Sequence, residues 1–302
     1  MLDILIRAGS YISIIILGYV LRSVGFFKED DFKILSKIVI KITLPAAIVA
    51  NFAGTQIDAS LLSIVVLGMG CGVLYMALGW LLNRRAGKDQ QAFAILNTTG
   101  YNIGNFTLPF VQSFLGPMGM VTTSLFDVGN ACIALGTSFG VASIIKEHKG
   151  FSISRIARAL IRSFPLDCYV VVTVMNLAGI SMPGPIVTFA QIVGNANAFL
   201  AMLMVGVGFK LAGDRTQLRS ILKIMVLRYG VAVILALAGW YLLPFEAEVR
   251  KTLAILVFSP IAAAAPAFTA ELDGDTGLSS AVNSLSIVCS IAAIMVMLVV
   301  MR

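Results

Sequence analysis

Charge is scarce in this chain. Only 12% of its 302 residues are Asp, Glu, Lys or Arg, against about 25% in an ordinary soluble domain, so the solvent around most of it must be lipid. His148 is the single histidine and stands in a charged connection, which argues against a histidine-built metal site. Four cysteines (Cys71, Cys132, Cys168, Cys289) lie apart in apolar segments; they make neither a metal motif nor a disulfide framework. There is no His–Glu pair, no Ser–Lys or Ser–His arrangement and no Asp pair in facing segments, so an intramembrane enzyme ranks low. A sensor is not expected either, because the connections between apolar runs are too short to hold a soluble output domain. The ten-residue alternation of a membrane barrel is missing too, and the first apolar stretch lacks the basic leader and small-residue cleavage site of a signal peptide.

What is present is hydrophobic: 59% of residues are apolar. They gather into ten runs near 4–21, 34–53, 60–82, 91–115, 118–145, 163–179, 186–209, 220–243, 252–270 and 277–300. A spanning helix needs about 20 such residues, and only helices or closed barrels satisfy their backbone in lipid. The ten runs therefore predict an all-α integral membrane protein with ten transmembrane helices. The net charge of +7 does not point to nucleic acid, because the bases cluster in short connections. Those at 22–37, 83–88, 146–162 and 210–223 hold sixteen Lys or Arg, while 54–60, 115–119 and 180–185 hold none. Positive-inside logic places these basic connections in the cytoplasm and both termini outside a cytoplasmic membrane. The connection at 271–276, with Glu271, Asp273 and Asp275 and no base, departs from the pattern, but acids count for little in that rule.

The central connection divides the chain into 1–146, a basic cytoplasmic loop at 147–162, and 163–302. Five runs on each side force the second half to be inverted relative to the first. Run 4 contains Gly100, Gly104 and Pro109, and run 9 contains Pro260 and Pro266. With Pro109 and Pro266 taken as equivalent, Asp127 and Ser284 each lie 18 residues further on. Interrupted helices at matching places in two inverted halves point to a carrier's midplane site.

Run 4 has the least lipid-like stretch, with Asn97, Asn102, Asn105 and Thr107 close together. Pro109 crowds the carbonyl of residue 105 and lacks an N–H, so the helix is expected to open at Gly104–Asn105 and offer N–H groups to an anion. Asn102, Asn105, Thr107, Pro109, Pro260, Pro266, Asn283 and Ser284 are the candidate substrate residues, with Lys41 as a counter-charge. Asp127, with Asn130 a turn later, is the candidate coupling site for a proton or sodium ion. A carboxylate at membrane depth needs a partner or a cation. Lys41 has a bland alternative in snorkelling to the surface, and Arg228 is expected to snorkel. Asn195 and Asn197 in run 7 are weaker candidates.

The pattern resembles the auxin efflux carrier family, in particular its bacterial malate- or malonate-permease-like members. The likeness rests on Gly18-Tyr19-Val20-Leu21-Arg22-Ser23-Val24-Gly25-Phe26, on Leu35-Ser36-Lys37 leading to Leu44-Pro45, and on the Pro266-to-Asp275 junction. Asn102-Ile103-Gly104-Asn105-Phe106-Thr107-Leu108-Pro109 is similar to the family's Asn-x-Gly-Asn-x-Gly-Leu-Pro crossover; Thr107 departs from the usual glycine, adding a hydroxyl or widening the crossover. The resemblance implies two inverted five-helix repeats with broken helices 4 and 9 crossing, helices 1, 2, 6 and 7 as scaffold, and 3–5 and 8–10 as a moving transport part. It implies a carrier of a small organic anion, such as a dicarboxylate or auxin-like acid. The partners are that anion and the lipid bilayer, with a homodimer left open and no cofactor beyond a coupling ion. A sodium-coupled bile-acid-type symporter, and a channel or sensor, stand as alternatives.

Overall fold

All ten apolar runs fold into helix in the computed structural model, which describes residues 2–28, 30–53, 55, 57–146, 152–209 and 217–301. Parts of the basic connections, 147–151 with Lys149 and 210–216 with Lys210 and Arg215, lie outside the described residues. The helices are α1 (Leu2–Ser23), α2 (Asp31–Ile38), α3 (Leu44–Phe52), α4 (Ser63–Leu82), α5 (Lys88–Thr98), α6 (Leu108–Phe114), α7 (Pro117–Cys132) and α8 (Ser138–Ile145). There follow α9 (Ile153–Ile161), α10 (Phe164–Leu177), α11 (Gly184–Asn195), α12 (Asn197–Gly208), α13 (Leu218–Leu242), α14 (Ala247–Leu256), α15 (Ala265–Glu271) and α16 (Thr276–Val300).

Five stretches among the described residues are helical, long and apolar enough to cross a membrane: Ala59–Leu82, Pro117–Ile145, Gly184–Gly208, Leu218–Leu242 and Thr276–Val300. The pair Ile153–Ile161 and Phe164–Leu177, bent by 72°, makes a sixth if taken together. Their outward faces are greasy, and Val66, Ile192, Val226 and Leu242 are each at least 70% exposed. Water does not tolerate apolar surface on that scale, whereas lipid does.

The interruptions have local causes. Two five-residue π turns, Val39–Thr43 and Ile103–Thr107, stand directly before Leu44-Pro45 and Leu108-Pro109. A proline ring drives into the carbonyl four residues back. The wider turn relieves this by pairing Leu44 N–H with Val39 O and Leu108 N–H with Ile103 O. Because the π turn absorbs Pro109, run 4 does not open at Gly104–Asn105. It opens earlier, over Thr99–Asn102, where Gly100 takes φ +79°, a conformation that is free only to glycine. The second break, between α14 and α15, covers residues 257–264.

Close helix pairs rest on glycine. On α1 and α12, a Cβ at Gly18 would sit 2.4 Å from Leu203 O and one at Gly206 2.0 Å from Ile15 O. On α4 and α7, Gly68 and Gly129 do the same against the backbones of Phe126 and Val65. Small residues let membrane helices reach such separations.

Candidate functional site

The two breaks meet. Asn102 N–H donates to Pro260 O at 2.9 Å, and Tyr101 and Ile261 face each other as an isolated antiparallel pair. In such a non-hydrogen-bonded pair each residue's own N–H and C=O point away from the partner. Both sets are buried, so both need other partners. On one side Asn130 of α7 supplies them: Tyr101 N–H donates to its Oδ1 and its Nδ2 donates to Tyr101 O, each at 2.9 Å. On the other side α16 divides the task. Ile261 N–H donates to Ser286 Oγ at 3.1 Å, and Asn283 Nδ2 donates to Ile261 O at 3.2 Å. A third tie joins the breaks directly, from Thr107 Oγ1 to Ser259 Oγ at 2.6 Å. Thr107 is fully buried, so its hydroxyl is spent on joining the crossing segments.

Asp127 lies beside this crossing. Its Oδ1 accepts from Asn130 Nδ2 at 2.9 Å and its Oδ2 from Tyr169 OH of α10 at 3.4 Å. Gly104 approaches from the π turn, where a Cβ would lie 3.6 Å from Asp127 Oδ2. The carboxylate thus faces neutral donors.

A cavity of about 440 Å³ lies on another side of the crossing and is lined by Asn102, Asn105, Pro266, Asn283 and Ser284. Five of the residues expected to bind substrate are therefore brought together, although Asn102 and Asn105 stand more than 160 residues before Pro266, Asn283 and Ser284 in sequence. Arg22, Asp30 and Lys33 also line it. These belong to the first basic connection, so the cavity reaches that end of the molecule. The Lys33 ammonium donates to Asp30 at 2.7 Å and holds that carboxyl below the usual carboxylate range. Arg22 Nη1 donates to Val207 O at 2.8 Å. Pro109 and Pro260 are buried; Pro260 lies within the second break, while Pro109 follows the π turn in α6. Lys41 is exposed on its π turn and does not line this cavity. Asn197 is buried and bonded to Thr43 and Gln112, and Asn195 is exposed.

Two residues were not anticipated. Arg22 reads in sequence as one more base of a connection. Arg228 reads as a snorkelling residue, yet it is fully buried. Its Nη1 donates to Thr98 O at 2.6 Å, and its Nη2 to Ser259 O and Pro260 O at 3.1 and 3.3 Å. The signal lay in its depth. Arg228 is ten residues into α13, about 15 Å along the axis at ~1.5 Å per residue, too far for its side chain to reach the helix end.

Residues 10–154 match the model of a family described as membrane transport protein. Over 289 residues, 94% of each chain, the sequence is 24% identical to an uncharacterized transporter of Methanothermobacter thermautotrophicus.

Proposed function

We propose, from the premise that this chain belongs to the membrane transport protein family of auxin efflux carriers, that it moves a small organic anion across the cytoplasmic membrane by alternating access at the crossing of its two broken helices. The chain is a multi-pass membrane transporter and not an enzyme. The observation that carries the finer reading is the cavity of about 440 Å³, where Asn102 and Asn105, at the first break and in the π turn after it, meet Pro266 of α15 and Asn283 and Ser284 of α16. Its volume suits a small ligand, its amides suit a carboxylate, and Arg22 and Lys33 make its mouth more basic than acidic.

In this reading the ten runs are ten spans in two inverted repeats, divided at the central connection. The helices α1–α3 and α10–α12 form the scaffold, and α4–α8 and α13–α16 form the transport part. Close packing of α1 on α12 through Gly18 and Gly206, and of α4 on α7 through Gly68 and Gly129, supports that division. The basic connections are cytoplasmic, so the cavity that reaches Arg22 and Lys33 is open inward. Single cysteines at position 58, in the base-free connection after α3, and at position 30 test the topology. A membrane-impermeant thiol reagent applied to whole cells should label the first and spare the second; the opposite pattern removes the inverted-repeat argument.

The site itself is tested by binding. Purified protein should bind one of a panel of dicarboxylates, indole acids and bile acids, screened with and without sodium. Asn105→Ala should weaken that binding by about 1–3 kcal/mol, the usual cost of an unpaired buried polar group, with the melting temperature held. Asp127→Asn should leave binding more intact than ion-driven accumulation in liposomes. Wild-type behaviour from both variants would put the site elsewhere.

A further inference from the structure

Every α-helix ends in carbonyls without intrahelical partners, and these carry the negative end of its dipole. At the crossing two such ends converge. Thr98 is the last residue of α5, and Ser259 and Pro260 follow shortly after Leu256, the last of α14. In water these carbonyls would be solvated; here Ser259 is completely buried and Thr98 nearly so. One guanidinium stands between them. Arg228, from the middle of α13, donates to Thr98 O, Ser259 O and Pro260 O. The rings of Tyr75 and Tyr101 flank it, with its Cζ 4.9 and 4.6 Å from their centroids. The α13 backbone is fixed in turn, because Tyr75 OH donates to Arg228 O at 2.8 Å. No carboxylate pairs with Arg228 among the described residues. Its compensation is the two carbonyl ends and the two aromatic faces.

Buried carbonyl oxygens with lone pairs left unpaired, as those of Thr98 and Ser259 would be without Arg228, are also what a hard cation seeks, since sodium-sized ions take oxygen ligands. We propose that Arg228 is a resident counter-charge at the crossing: a positioning residue whose guanidinium takes the place a bound metal cation would otherwise fill, so that the two broken helices hold their geometry without one. The consequence for transport, movement of substrate with no sodium ion bound between these helix ends, rests on the carrier reading above. The charge arrangement does not, and it is measured without substrate.

The experiment uses the full chain purified in detergent, with melting followed while sodium chloride replaces choline chloride at constant ionic strength, and again with methylguanidinium chloride. Wild type should be indifferent to the exchange. Arg228→Met keeps length and removes charge, and should melt several degrees lower. Arg228→Ala should also melt lower, and should regain much of the loss in a saturable way with sodium or methylguanidinium, as expected of an ion that binds only the folded state. Arg228→Lys should keep the indifference of wild type. A purely space-filling arginine predicts otherwise: Arg228→Met would melt like wild type, or Arg228→Ala would ignore every cation. Either result overturns the proposal, as does saturable stabilisation of wild type by sodium that survives in Arg228→Ala. If Arg228→Ala cannot be isolated in choline, recovery of monodisperse protein only in methylguanidinium or sodium is the expected result. Equal failure in all three salts overturns the proposal too.

Discussion

Asn130→Leu should destabilise the chain by on the order of 3 kcal/mol and release the backbone at the crossing. Leucine repeats the branching of asparagine at Cγ with bulkier methyl groups, so packing is kept in shape and slightly overfilled. What disappears is the pair of hydrogen bonds that satisfies Tyr101 N–H and Tyr101 O, together with the donor to Asp127 Oδ1. Each buried polar group left without a partner costs about 1–3 kcal/mol, and an N–H more reliably than a carbonyl. Water has little access, because Tyr101 is 2% exposed. Asn283→Leu should cost less, since that side chain serves carbonyls alone while Ser286 keeps the Ile261 N–H. Melting temperatures should follow that order, and hydrogen exchange across residues 97–105 should quicken in Asn130→Leu more than in Asn283→Leu. Unchanged exchange there would mean that the Asn130 side chain does not hold the break.

Gly129→Ala should be the most damaging glycine-to-alanine change among the described residues. An added Cβ would lie 1.9 Å from Val65 O and 2.7 Å from Met69 N. Both obstacles are backbone, so no side chain can swing aside and α4 must separate from α7. Overpacking of this kind usually costs about 1–3 kcal/mol and more where nothing relaxes; here the upper end or beyond is expected. The damage reaches the site, because α7 also carries Asp127 and Asn130. Gly70→Ala on α4 is the matched control, with nothing within 4 Å of the added carbon, and it should melt like wild type. The measurement is yield of monodisperse protein and its melting temperature. A Gly129→Ala protein as stable as the Gly70→Ala control would contradict the packing of α4 on α7.

Part of the candidate site was legible one residue at a time. Asn102, Asn105, Asn283 and Ser284 stood out because amides and hydroxyls are costly in lipid unless they face protein or a cavity, and they do line one cavity. Thr107 was legible as unusual but not as a bridge, because Ser259 is 152 residues away in sequence. Lys41 drew attention for its charge alone, and charge does not say which face of a helix a residue takes; it is exposed. The position of the first break was misplaced for a similar reason. Pro109 marks where a regular ladder fails, but the chain met that failure with a wider turn and opened at Gly100 instead.

By itself the sequence determined the solvent and the secondary structure of this protein. Low charge, long apolar runs and bases confined to short connections require helices in lipid, because each is a local property that no packing arrangement can reverse. The tertiary structure alone decided which polar groups share an environment. Whether Arg228 snorkels or stands between two helix ends depends on what lies opposite the middle of α13. That is set by the crossing of two breaks about 160 residues apart, from Tyr101 to Ile261, and by the glycines that let the helices around it close. Hydrogen bonding at such a place is a property of the meeting point, and no single segment carries it.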